Sequence, residues 1–418
     1  MSGTAVTPPE TSTAPAEPRP GRQNTVIREI MAGSVVRAIL AIVLAMIIGG
    51  LLIVVTNPRV QETAGYFFAR PQDMLGAAWE AFSGAYAALF RGAIYNYNAT
   101  SFVRAIKPIT DTLNFATPLI AAGLGVALAF RVGLFNIGGR GQMLMGVVAG
   151  ATVAFAVQAP LLIHLPLTII AGMIGGMIWG GLVGLLKAKT GAHEVILTIM
   201  LNFIAFYFIS WLLSTPGLLQ KPGAGQPISA PTPDTAQFPL LFSAPLTVNW
   251  GFILAVVAAV FVWWLIERSS LGFRMRAVGE NPNAARAAGV NVERTIIYAM
   301  GIAGAFAGLA GVNQMSGTIT SGFENGIDAG IGFDAITVAL LGRSRAFGVL
   351  GAGILFGALK AGSFTMQTSE DIPVDIVLVV QALIVLFIAA PPLVRAIFFL
   401  PGEDGAPRRR RTKKEVAA

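Results

Sequence analysis

Chemistry that needs a thiolate is excluded, because the chain has no cysteine, and imidazole comes only from His164 and His193. His193-Glu194 begins like the helical zinc motif of a metalloprotease, but no second histidine follows at the required helical spacing. The sequence contains no GxSxG nucleophile elbow, gives His164 no evident serine partner, and has no GxxxxGK[ST] loop to cradle phosphates. What remains are amides and isolated carboxylates within or beside apolar runs: Asp111, Asn114, Asn136, Gln142, Asn202, Gln314, Asp334, Asp375 and Gln381. Ionisable groups in hydrocarbon are costly unless they pair or meet water, so such residues mark helix packing, caps or the wall of a solute path, and Asp334 is the most suggestive. Few titratable groups lie deep in apolar sequence, which disfavours a proton- or sodium-coupled carrier and favours a passive or externally driven channel.

The elements that must position these residues follow from composition. Of 418 residues, 55% are hydrophobic and 12% charged, against roughly 25% charged in ordinary globular domains, and the mean hydropathy is +0.70. Soluble, disordered and collagenous classes are excluded. Apolar runs lie at about 35 to 55, 109 to 130, 141 to 160, 162 to 186, 194 to 213, 249 to 266, 295 to 315, 331 to 342, 346 to 366 and 374 to 394. Backbone amides in lipid need internal partners, and the runs lack the alternation of barrel strands, so all are expected to be helices. The expected fold is all-α, a polytopic transmembrane bundle of about ten spans with broken or re-entrant segments. The first run follows a tail of more than 30 residues without a small-residue cleavage site, and so reads as an uncleaved span.

The net charge is +8, but its cations form no single stripe suited to nucleic acid. Counted over alternate connections, 22 of the 29 Lys and Arg fall on one side, which also takes both termini. The positive-inside bias makes that side cytoplasmic and brings the cations to anionic lipid. Residues 1–34 are then a disordered cytoplasmic tail and 396–418 a basic cytoplasmic tail. Connections 57–108, amphipathic and aromatic, and 214–248, proline-rich, are long and face the opposite side.

Two stretches look interrupted: Arg131 to Gly146, and Ser316 to Ile331 ahead of a short apolar run. Non-helical backbone at membrane depth is tolerated where it lines a cavity or lies inside protein, so both are candidate pathway walls. At an offset of 212 these regions share Val126/Val338, Ala127/Ala339, Leu128/Leu340, Arg131/Arg343, Phe135/Phe347, Gly139/Gly351 and Gly141/Gly353, either an internal duplication or compositional chance. Glycines 172, 176, 180 and 184, with the pairs 304/308 and 353/357, predict close helix packing. In the cytoplasmic connection 267–294, Pro282 and Gly289 bracket a short helix over 283–288, either a docking helix or a solvated loop.

GLFNIGGRGQ (133–142), AHEVILTIMLNFIA (192–205), RAVGENPNAARAAGV (276–290) and GIGFDAITVALLGRSRAFGVLGAGILFGAL (330–359) together resemble the membrane-spanning permease subunits of bacterial ATP-binding-cassette importers, in the nucleoside branch. The resemblance covers about residues 100 to 395. Relatives usually carry an acidic residue where this chain has Arg140, a charge reversal that bears on solute contacts around Phe135 to Gln142.

The resemblance implies a permease domain over 35–395 in the bacterial cytoplasmic membrane, with 267–294 as its coupling loop. It also implies a cytoplasmic ATPase that binds ATP and Mg, a second and different permease subunit, and an extracytoplasmic solute-binding protein. This chain would hold no cofactor, metal or catalytic residue, and would bind no nucleic acid. For a nucleoside, Phe135, Asn136, Gln142, Asn202 and Asp334 are the expected pathway residues. Glu280, Asn281, Ala284, Ala285 and Gly289 match the segment that couples to the ATPase. The alternatives are a permease for simple sugars of the ribose or galactose type, an ion-coupled secondary carrier and an intramembrane enzyme.

Overall fold

The computed structural model describes residues 34–390, 393 and 397; both proposed tails lie essentially outside them. Among the described residues there are fourteen α-helices and no strand beyond two isolated bridges. They are α1 (Ser34–Thr56), α2 (Pro58–Ala64), α3 (Pro71–Ala93), α4 (Phe102–Arg131), α5 (Gly139–Ala156), α6 (Leu161–Thr190), α7 (Glu194–Ser214), α8 (Trp250–Arg268), α9 (Ser270–Glu280), α10 (Pro282–Ala287), α11 (Val292–Asn313), α12 (Ile331–Leu341), α13 (Ala346–Glu370) and α14 (Val374–Ala389).

Every apolar run forms a helix. Seven (α1, α4, α6, α7, α8, α11 and α13) are long and apolar enough to cross a membrane, while α12 and α14 are shorter apolar helices. The interruptions appear where the sequence places them. Residues 132–138 separate α4 from α5, and a π-helical turn at Gln314–Thr318 followed by irregular chain to Gly330 separates α11 from α12. The long connection 57–108 is largely helical: it contains α2, the 23-residue α3 and the first turns of α4.

Burial sorts the centre from the rim. In the apolar windows of α4 and α11, 78% of residues are buried, against 22% in α6 and 28% in α7. Since these helices are apolar all round, α4 and α11 form the interior while α6 and α7 keep broad faces for lipid. Lipid solvates apolar side chains as well as protein does, so helix association relies on close packing. Glycine supplies it: Gly172 and Gly176 of α6 meet the backbone or side chains of α11 beside Gly304 and Gly308, and Gly146 of α5 meets both Gly308 and Gly172. On the other side of the core, Gly353 and Gly357 of α13 press against Ile120 and Ala116 of α4. A second, smaller apolar core joins α1, α3, α13 and α14.

Candidate functional site

The two interrupted helices begin against each other. Gly139 at the start of α5 faces the Gly332 carbonyl in α12, and Gly332 in turn faces the Arg140 backbone, so neither glycine has room for a Cβ. A helix N-terminus leaves amides unbonded, a serious cost at membrane depth. Gly138, the cap of α5, gives no side-chain bond, and the missing acceptor comes from another helix. Asn202 Oδ1 accepts from Gly141 N at 2.8 Å, while its Nδ2 donates to the Ile137 carbonyl at 3.0 Å. Asn202 lies eight residues into α7, about 12 Å along that helix, so α5 starts well inside the bundle.

Asn136 and Gln142 complete this lock. Asn136 Oδ1 accepts from Gly138 N at 2.9 Å, its Nδ2 donates to Gln142 Oε1 at 3.1 Å, and Gln142 Nε2 donates back at 3.2 Å. Both side chains are 1% exposed. The structure thus brings Asn136, Gln142 and Asn202 together, with their hydrogen-bonding groups turned on one another and on the broken segment. Phe135, 42% exposed, stands beside them, its ring stacked on Phe130 at 5.1 Å. Asp334 sits in the first turn of α12, across the helix junction and part-buried. Replacing Asn202 by leucine leaves the Gly141 amide and Ile137 carbonyl unpaired. The expected loss is about 1–3 kcal/mol for the buried Gly141 amide, and less for the half-buried Ile137 carbonyl, read as a fall in thermal stability of the detergent-purified protein; unchanged stability would refute the capping role.

Sequence reasoning missed the charges that clamp the junction. Arg140 Nε donates to Asp328 Oδ1 at 3.2 Å, and its guanidinium lies 4.9 Å from the Phe206 ring centre. Lys360 Nζ of α13 donates to the Ala329 carbonyl at 3.1 Å, so the loop before α12 is held from two sides. At the start of α7, Glu194 accepts from Lys187 Nζ at 2.5 Å and from Phe135 N at 3.3 Å, tying the α6–α7 turn to the broken segment. His193 caps α7 by accepting from Val195 N, and His164, buried in α6, lies 2.8 Å from Thr235 Oγ1.

The connection after α8 folds as α9 and α10. Asn281 Oδ1 accepts from Asn283 N and Ala284 N, with Pro282 at the first position of α10, and Gly289 just beyond has φ +81°, a left-handed conformation suited to glycine. Ala285 is buried, whereas Glu280, Asn281, Ala284 and Gly289 are exposed. Gly279 packs against the backbone of Arg131 and Val132, where α4 gives way to the broken segment. Helix α9 therefore abuts the start of the broken segment.

A helical bundle of this hydropathy, with two discontinuous helices joined inside it, defines an integral membrane protein of the transport class. Residues 109–389 match the family described as branched-chain amino acid transport system / permease component, and the chain belongs to that family, whose members are transport subunits. It is 39% identical to the guanosine ABC transporter permease protein NupP of Bacillus subtilis over 71% of this chain and 85% of that one. It is 37% identical to the glucose ABC transporter permease protein TsgB13 of Haloferax volcanii, over 67% and 75%. It is 36% identical to the nucleoside ABC transporter permease protein NupB of Lactococcus lactis, over 74% and 86%. Bacillus subtilis and Lactococcus lactis each also carry a second, more distant match named for the same cargo. No solved structure matches the chain.

Proposed function

We propose that this chain is the permease of an ATP-binding-cassette importer in the bacterial cytoplasmic membrane, forming the pathway for nucleosides and driven by separate ATPase subunits. The observation that carries the reading is the 39% identity to a guanosine permease across most of both chains. The exposed Phe135 ring suits a nucleobase, and Asp334 can accept from ribose hydroxyls. Asn136, Gln142 and Asn202 contribute chiefly by holding the segment that presents Phe135. The test is uptake by vesicles reconstituted with the ATPase and a binding protein, comparing labelled uridine and adenosine with ribose and glucose. The glucose permease relative motivates the second reading, and sugar uptake without nucleoside uptake would establish it. Gradient-driven uptake by the purified chain alone would overturn both.

Both termini and the α9–α10 segment face the cytoplasm in this reading. The pairs of related permeases in two bacteria support a heterodimer with a second permease. An external binding protein delivers the solute, and the ATPase, which binds ATP and Mg, grips α10. Closure of the ATPases then moves α10, and through Gly279 the broken segment, shifting which side the pathway faces. Glu280→Lys and Ala284→Trp lie on exposed chain, so both are expected to insert normally while ATP hydrolysis no longer yields uptake. Unchanged uptake per ATP in both variants would refute the docking role.

A further inference from the structure

A cavity of about 890 Å³ opens between α4, α8 and the turn leading into α13, at the end where the cation-bearing connections lie. Its lining carries three guanidinium groups, Arg131, Arg268 and Arg345, but one carboxylate, Glu267. Among the described residues none of the three arginines pairs with a carboxylate, and the ion pair formed by Glu267 is to Arg276. The remaining wall is largely apolar and aromatic. Trp263 and Phe347 stand 6.1 Å apart, both exposed, and the Arg268 guanidinium lies 6.0 Å from the Trp263 ring centre. Arg131 Nε donates to the Ser344 carbonyl at 2.9 Å, bracing a turn in which Arg343 and Ser344 both adopt left-handed backbone, at φ +54° and +51°. Left-handed non-glycine residues persist where the surroundings over-determine them.

We infer that this cavity seats the headgroup of an anionic membrane phospholipid, its phosphodiester among the three guanidiniums and its acyl chains along Trp263 and Phe347. Nucleosides and sugars are uncharged, so excess positive charge has no counterpart in either cargo. A free phosphate would match the arginines but leave the aromatic wall unused, whereas a diacyl phosphate matches both. Basic pockets between helices at the cytoplasmic headgroup level have the chemistry to hold such lipids, and arginine's planar fork suits a phosphodiester. The site does not depend on which solute is carried.

The test is native mass spectrometry of the full chain in its assembled transporter, solubilised with mixed phosphatidylglycerol and phosphatidylcholine. Preferential retention of phosphatidylglycerol is expected, falling about five-fold for each of Arg268→Gln and Arg345→Gln, and unchanged in Lys221→Gln, an exposed residue of the 214–248 connection. Equal retention of both lipids, an equal fall in Lys221→Gln, or displacement of the lipid by millimolar inorganic phosphate would overturn the proposal. Retention by the free permease but not by the transporter would overturn it too, because the partner would then occupy the cavity. A second readout does not depend on the arginine variants folding: bromine-labelled phosphatidylglycerol should quench tryptophan fluorescence more than labelled phosphatidylcholine, with the difference reduced in Trp263→Phe. Equal quenching by the two lipids, or no reduction in that variant, refutes the site.

Discussion

Gly308→Leu is expected to abolish accumulation of folded protein. Even Gly308→Ala should cost about 1–3 kcal/mol, as overpacking of a filled interior does. A Cβ at this position would run into the Gly172 carbonyl and Gly176 Cα of α6. Its obstacles are backbone atoms, so no rotamer change relieves the overlap and α6 and α11 must separate. Gly181, in the same α6, has open space around its would-be Cβ. Gly181→Ala should therefore leave stability unchanged or raise it by up to about 1 kcal/mol through helix propensity. Thermal denaturation of the two alanine variants in detergent makes the comparison, and equal melting temperatures would show that the seam does not hold the bundle together.

Arg140→Ala is expected to have the next largest effect. It strands the Asp328 carboxylate, only 4% exposed, without its counter-charge. Removing one member of a buried pair typically costs about 3–5 kcal/mol. The Arg140 side chain is 29% exposed, so water screens part of the attraction and the loss should fall at the lower end of that range. Arg140→Asp should be worse, since it places two carboxylates together. The exchange Arg140→Asp with Asp328→Arg should recover part of the stability and of uptake, short of the contribution from Phe206. A double-mutant cycle reads the coupling, and strictly additive losses would mean that the ion pair does not hold the junction.

What the sequence made legible follows from the range over which each signal acts. The apolar runs are local, and each of the ten became a helix. The cap of α10 is also local, with Pro282 and Gly289 marking its ends and Asn281 bonding within three residues. Helix α3 escaped notice because Gln72, Asp73, Glu80 and Arg91 dilute its apolar face. Its packing comes from distant partners: Gly92 against Thr365, and Arg91 paired with Glu370 at 3.3 Å. For the candidate site, residue type and depth were visible, whereas partners were not. Nothing near Arg140 announces Asp328, 188 residues away. Nothing near Asn202 says that its amide completes the start of α5 rather than meeting a solute. A solitary polar residue in an apolar run is compatible with either role, and only tertiary structure separates them.

The meeting of Gly146, Gly172 and Gly308 also limits how the protein can work. Three main chains in direct touch cannot slip past one another by part of a turn without carbonyls colliding. Helices α5, α6 and α11 must then travel as a single rigid block, like a keel. Any switch between inward and outward openings then falls to elements outside that block, among them the short α12 and the seven residues ahead of α5.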